Sequence, residues 1–185
     1  MCGALEFAEK ISKVGTQPII GTQINFNQSQ INFNENKKND IFRAKKIGII
    51  YQQNNLLPDF TALENVYLAN LSINNNKDRA ISKAKDLLRR IGLSNRLNHF
   101  PSQLSVGECR RVAIARAIIN DPDIILADEP TGSLDLNTAK EIFQLLNYQK
   151  KPNRLIIFAT HNRFFANKAD CILEMINGSV KTINA

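Results

Sequence analysis

A chain of 185 residues, 43% hydrophobic and 22% charged, has the size and make-up of one ordinary domain with a real core. No stretch approaches the roughly 18 apolar residues of a membrane span, and Met1-Cys2-Gly3-Ala4-Leu5-Glu6 lacks the basic-then-apolar layout of a secretory signal. The net charge of +7 comes from scattered basic residues not interleaved with aromatics, which argues against a single-stranded nucleic-acid surface and leaves room for weak attraction to acidic lipid headgroups. Cys2, Cys109 and Cys171 follow neither a zinc nor a disulfide spacing, as expected of a reducing cytosol.

Residues 1–46 read differently from the rest. Gln23-Ile-Asn-Phe-Asn-Gln-Ser is followed at once by Gln30-Ile-Asn-Phe-Asn-Glu-Asn. Alternation at Ile24, Phe26, Ile31 and Phe33 permits two short strands, while the Asn-rich composition running to Asp40 fits a surface loop equally. A surface hairpin is favoured. Ile47–Tyr51 then reads as a buried strand followed by the polar loop Gln52–Asn55. Thr61 with Glu64 three residues on forms a capping-box pattern opening a helix to Leu71. Beyond Asn74–Asn76, the stripe Ile81, Ala84, Leu87, Leu88 and Ile91 predicts a second helix that ends at Gly92.

A third helix starts at Ser105 and ends before Asp121-Pro122, and Ile124–Ala127 is a continuous apolar strand of the parallel-sheet kind. Thr138–Tyr148 reads as an amphipathic helix with Ile142, Phe143, Leu145 and Leu146 inward. Leu155–Ala159 predicts another buried strand, ending at Thr160-His161. The chain closes with Cys171–Ile176 and Val180–Ile183 about an Asn177-Gly178 hairpin turn. Buried strands alternating with helices make the fold class α/β.

The chemistry gathers at the strand ends. Asp128-Glu129, just past a buried parallel strand, lie where open α/β sheets place ligands, and adjacent acids suit a metal shell and a water-activating base. Ser105-Val106-Gly107-Glu108 is a capping box, and a helix N-terminus with small residues also offers N–H groups to a phosphate. His161 follows a buried strand, and Gln52 follows another.

Taken together, the run Leu104-Ser-Val-Gly-Glu, Ile124-Ile-Leu-Ala-Asp-Glu-Pro-Thr-Gly-Ser-Leu-Asp135 and Thr160-His161 resembles the ATP-binding cassette (ABC) ATPases: signature, Walker B, D-loop and switch histidine in order. Tyr51-Gln-Gln-x-x-Leu-Leu-Pro-Asp-Phe-Thr-Ala-Leu-Glu-Asn-Val66 resembles the lipoprotein-releasing (Lol-type) ATPases and their macrolide-exporter relatives, and the likeness runs from Ile47 to the C-terminus. The resemblance implies a P-loop ATPase core with a helical signature subdomain at about residues 56–116, a divergent Asn-rich part at 1–46, and the Walker B, D-loop and switch-histidine part at 117–185. It implies ATP and Mg2+ as cofactors. Asp128 would hold the metal, with Gln52 sensing metal and water. Glu129 would act on the hydrolytic water, and His161 would contact the γ-phosphate. Ser105, Gly107, Glu108 and Asp135 would face the nucleotide across a dimer. A second ATPase subunit and transmembrane permease subunits are the implied partners. The expected location is cytoplasmic, peripheral on the inner face of the cell membrane, with no nucleic acid involved.

Two departures stand out. Gly-x-x-x-x-Gly-Lys-Ser/Thr occurs nowhere in the 185 residues, and the resemblance implies that the chain begins just after that phosphate loop, beyond the first strands. Val106 stands where the family has glycine, adding bulk beside a phosphate approach. The rival expectations are a degenerate, non-hydrolysing cassette subunit and an inactive remnant. A chromosome-maintenance ATPase would require a long heptad coiled coil, which the sequence lacks.

Overall fold

The computed structural model describes residues 24–26, 29–31, 36–176 and 179–184. It divides into two compact units, residues 35–161 and residues 1–34 with 162–185. The larger unit holds a parallel sheet of β3 (Ile47–Ile50), β4 (Ile124–Asp128) and β5 (Leu155–Ala159), in that order. Register pairs Ile50 with Ala127 and Asp128 with Ala159, so the residues following all three strands emerge together at one sheet end.

Helix α1 (Asn36–Lys46) leads directly into β3. The sequence allowed a surface loop through Asp40 as an alternative to the favoured hairpin; from Asn36 the structure has a helix. Its last turn carries Arg43, Lys45 and Lys46, the charges a helix C-terminus favours. Long-range contacts anchor it: Lys46 Nζ lies 2.7 Å from an Asp123 carboxylate oxygen, and the Asn120 amide donates to the Ala44 carbonyl at 2.9 Å.

Helix α2 (Ala62–Leu71) starts at the expected Thr61 cap, and α3 (Lys77–Arg90) starts at the end of the Asn74–Asn76 linker. Thr61 and Glu64 form the reciprocal box, Asn76 caps α3, and Gly92 after α3 takes φ +79°, open to glycine without strain. Helix α4 (Val106–Ile118) is apolar on several sides because it faces two cores. Val112 and Ala115 join Val66, Ala84, Leu88 and Leu93 in a helical cluster. Ile114 and Ile118 join Ile50, Ile125, Ile142 and Leu146 in a cluster over the sheet, to which α5 (Leu136–Asn147) contributes the last two. Helix α4 lies so close to β3 that a Cβ at Gly48 would collide with the Ala117 carbonyl.

Strand β5 is half-buried rather than fully buried as the sequence suggested, with Ala159 exposed. It is an edge of the three-stranded sheet among the described residues.

In the other unit β1 (Ile24–Phe26) and β2 (Ser29–Ile31) pair antiparallel, Ile24 opposite Ile31. The expected hairpin exists, with its second strand starting earlier than the repeat implied; Phe33 lies outside the described residues. Helix α6 (Arg163–Ala166) is capped by Asn162, whose side chain accepts from the Phe164 N–H at 3.0 Å. Strands β6 (Ile172–Ile176) and β7 (Ser179–Asn184) form the predicted closing hairpin, whose Asn177-Gly178 turn lies outside the described residues. Among the described residues no helix is long and apolar enough to cross a membrane.

Candidate functional site

Glu129 carries a rare backbone for a glutamate, φ +42°, a left-handed conformation costing about 1–3 kcal/mol. Its surroundings fix it there. The Glu129 N–H donates to the Ala159 carbonyl at 2.9 Å, and its own carbonyl accepts from Gly132 N–H at 2.9 Å, closing the Pro130-Thr131-Gly132 turn. This bend swings the carboxylate off the strand line toward β5. There Oε1 accepts the His161 backbone N–H at 2.8 Å and lies 2.6 Å from His161 Nδ1, while Oε2 accepts the Thr160 hydroxyl at 3.1 Å. A carboxylate facing Nδ1 makes that nitrogen the protonated one, leaving Nε2 available. The Glu129 side chain is 15% exposed and that of His161 85% exposed. Asp128 is exposed, with no side-chain partner among the described residues.

A second group forms where α4 and α5 begin. Ser105 caps α4: its hydroxyl accepts from Glu108 N–H at 3.1 Å, and Glu108 Oε2 accepts from Ser105 N–H at 2.8 Å. Arg96 Nε donates to the other Glu108 oxygen at 2.9 Å. The Ser105 N–H, then Arg96, hold the Glu108 carboxyl below the usual range. Glu108 is thus spent on the cap. Asp135 caps α5 through Asn137 N–H and Thr138 N–H, both at 3.1 Å, and the Thr138 hydroxyl at 2.5 Å. The Thr138 hydroxyl is the main reason its carboxyl is held low.

Ser105, Val106, Gly107, Ser133, Asp135 and Thr138 line a cavity of about 310 Å³ between the two helix starts. A Cβ on Gly107 would sit 2.7 Å from the Thr138 methyl, so glycine is required at 107. Val106, by contrast, takes an ordinary backbone and is 58% exposed at the cavity mouth. Its bulk faces outward and does not strain the turn.

The predicted residues therefore fall in two sets. Gln52, Asp128, Glu129 and His161 share the sheet end, while Ser105, Gly107 and Asp135 share the cavity. The Gln52 side chain is exposed and makes no hydrogen bond to Asp128 or Glu129. No group of three metal-binding side chains exists among the described residues. An exposed, unpartnered Asp128 beside Glu129 nevertheless fits magnesium, which keeps several waters and takes one or two carboxylates.

Sequence reasoning missed the residues that hold the Gln52 loop. Arg110 donates to the carbonyls of Tyr51 at 2.7 Å and Gln52 at 2.8 Å, and Arg116 to those of Asn55 at 2.6 Å and Asn54 at 2.8 Å. One signal was available: Arg110 stands on the same helical stripe as Ile114 and Ile118, a charge where the pattern calls for a core residue.

The ABC transporter family profile matches residues 14–132. The lipoprotein-releasing system ATP-binding protein LolD of Rickettsia bellii is 46% identical over 148 residues, 80% of this chain and 67% of that protein. The LolD of Cytophaga hutchinsonii is 42% identical over 158 residues, 85% of this chain and 72% of that protein. The dimeric post-hydrolysis structure of the ATP-binding cassette MJ0796, bound to ADP and Pi, superposes with a TM-score of 0.77 at 31% identity, covering 99% of this chain and 82% of that one. These likenesses favour an ATP-binding subunit over a degenerate subunit or remnant. With the parallel sheet, the caps of α4 and α5 and the Glu129–His161 contact, they lead to one conclusion: the chain belongs to the ABC transporter family, as an ATP-binding subunit similar to LolD.

Proposed function

We propose that the chain hydrolyses Mg-ATP to drive lipoprotein release, acting as a dimer bound to transmembrane permease subunits at the inner face of the membrane. The observation carrying this reading is the Glu129 carboxylate, bent out of β4 and gripped by Thr160 and His161. On this reading, residues 56–116 form the signature part, with 117–185 the Walker B and switch part. Bound Mg-ATP supplies an electrophilic phosphorus and a leaving group.

The protein's share is positioning and proton handling. Glu129 Oε1 is engaged by the two His161 donors, which leaves Oε2, touched by one hydroxyl, as the oxygen that takes the proton of an attacking water. His161 Nδ1–H holds the carboxylate still, and Nε2 would be free to meet the terminal phosphate of bound nucleotide. Asp128 would hold the magnesium shell, with Gln52 placed to report on metal and water. Ser105, Gly107 and Asp135 serve the nucleotide held by the second subunit.

The test is replacement in the cell. Wild-type protein should restore lipoprotein release after depletion, and Glu129→Gln should leave lipoproteins in the inner membrane at equal protein levels. Full rescue by Glu129→Gln would refute the proposal.

A further inference from the structure

We infer that Arg110 and Arg116 are positioning residues that fasten the Gln52 loop to the signature helix, so that loop and helix α4 act as one mechanical part. The inference rests on the reading of Gln52 as the residue sensing metal and water. Four charge-assisted hydrogen bonds run from two guanidiniums to the carbonyls of residues 51, 52, 54 and 55. Such bonds are roughly twice as strong as neutral ones, and the planar fork fixes direction as well as distance. Arg110 is 3% exposed, so its charge is out of water and committed to the loop.

The other end of the loop is tied as well. Asn65, 1% exposed on α2, accepts from Leu57 N–H at 2.8 Å and donates to the carbonyls of Leu57, Phe60 and Thr61 at 3.1, 2.9 and 3.1 Å. The segment from Tyr51 to Thr61 is therefore tied at both ends. Its Gln52 end answers to Arg110, one turn into α4, whose N-terminus carries the Ser105–Gly107 turn. The two sets of site residues, separate at the side-chain level, are joined through this backbone. Neither arginine touches the reacting atoms.

The protein contains no tryptophan, so Gln53→Trp places a sole reporter at an exposed loop position. Acrylamide quenching is measured without nucleotide in this background, alone and with Arg116→Lys, Arg116→Met or Arg110→Lys. Quenching should rise about twofold or more in the Lys and Met variants alike, because neither side chain reproduces the planar fork that presents Nη1 and Nη2 to two carbonyls at once. Far-UV dichroism should hardly change for Arg116, showing that the variants remain folded. If Arg110→Lys fails to fold, the two Arg116 variants decide. Unchanged quenching in folded Arg116→Lys and Arg116→Met would overturn the clamp.

Steady-state ATP hydrolysis by the permease-bound assembly, carrying Arg116→Lys without the reporter, gives the second readout. Arg116→Lys should lower kcat about ten- to a hundredfold with KM within about twofold, the mark of lost positioning. A loosened loop with unchanged kcat would overturn the positioning role. Absence of turnover in wild-type assembly would instead count against the functional reading, and the quenching result would still decide the clamp.

Discussion

Val106 and Gly107 show how neighbouring residues in one turn carry different constraints. Glycine is needed at 107 because a methyl there would press on Thr138, whose hydroxyl is locked to Asp135 at 2.5 Å and cannot swing aside without breaking the α5 cap. Gly107→Ala should therefore cost about 1–3 kcal/mol of stability. Val106→Gly should cost no more than about 1 kcal/mol, since the valine is exposed on an ordinary backbone. Chemical denaturation of both variants tests this order, and a larger loss at 106 would reverse it. Turnover should respond oppositely. If valine crowds a phosphate at the cavity mouth, Val106→Gly raises ATP hydrolysis of the assembled protein by up to about 10²–10³, the scale of one oxyanion-type donor. A rate within about twofold of wild type would mean that valine is tolerated.

At the scale of elements, the turn between α4 and β4 offers a test of electrostatics. Asp121 has φ +53° and holds Lys151 Nζ at 2.8 Å and Arg154 in an ion pair. The hydrogen bond from Lys151, then the Arg154 charge, keeps its carboxyl below the usual range. A depressed carboxyl stabilises the fold above its unfolded value, about 3.9, and that contribution is lost as pH falls through the lower folded value. Asp121→Asn keeps a side chain that tolerates left-handed backbone and removes the charge. Its melting temperature should fall less than that of wild type between neutral pH and about pH 3. Parallel acid profiles would show that the ion pairs contribute nothing there.

Elements written in local signals were legible in the sequence: the Thr61/Glu64 and Ser105/Glu108 boxes, Gly92, and the apolar run of β4 each depend on residues within a turn of one another. Helix α1 was not, because contacts to Asp123 and Asn120, over 75 residues away in sequence, hold an Asn- and Lys-rich segment. The arginine clamp was hidden for a related reason. Its acceptors are backbone carbonyls 58 to 62 residues distant, and a carbonyl leaves no mark on residue identity.

Across the larger unit, Asp128, Glu129 and His161 gather at one end of the sheet, while the Ser105–Gly107 turn and Asp135 line a separate cavity. On the proposed function, that division would let each chain offer different surfaces to nucleotides shared with a second subunit. The 185 residues contain no Gly-Lys-Ser/Thr phosphate loop, whose backbone N–H groups and lysine supply most phosphate contacts. Residues 1–185 alone should thus bind Mg-ATP more weakly than the micromolar range by isothermal titration, and a micromolar dissociation constant would contradict this.

The central claim is that Glu129, aimed by its left-handed backbone and held by His161, is the base of an ATPase. The direct measurement is ATP turnover and nucleotide retention by the native protein isolated with its membrane partner, wild type against Glu129→Gln and Asp128→Asn. Glu129→Gln should lose turnover by about 10²–10⁴ while retaining nucleotide, because the amide keeps volume and surrounding contacts but cannot take a proton. Asp128→Asn should also weaken magnesium-dependent binding. Turnover by Glu129→Gln at the wild-type rate, or equal loss of nucleotide in both variants, would contradict the assignment.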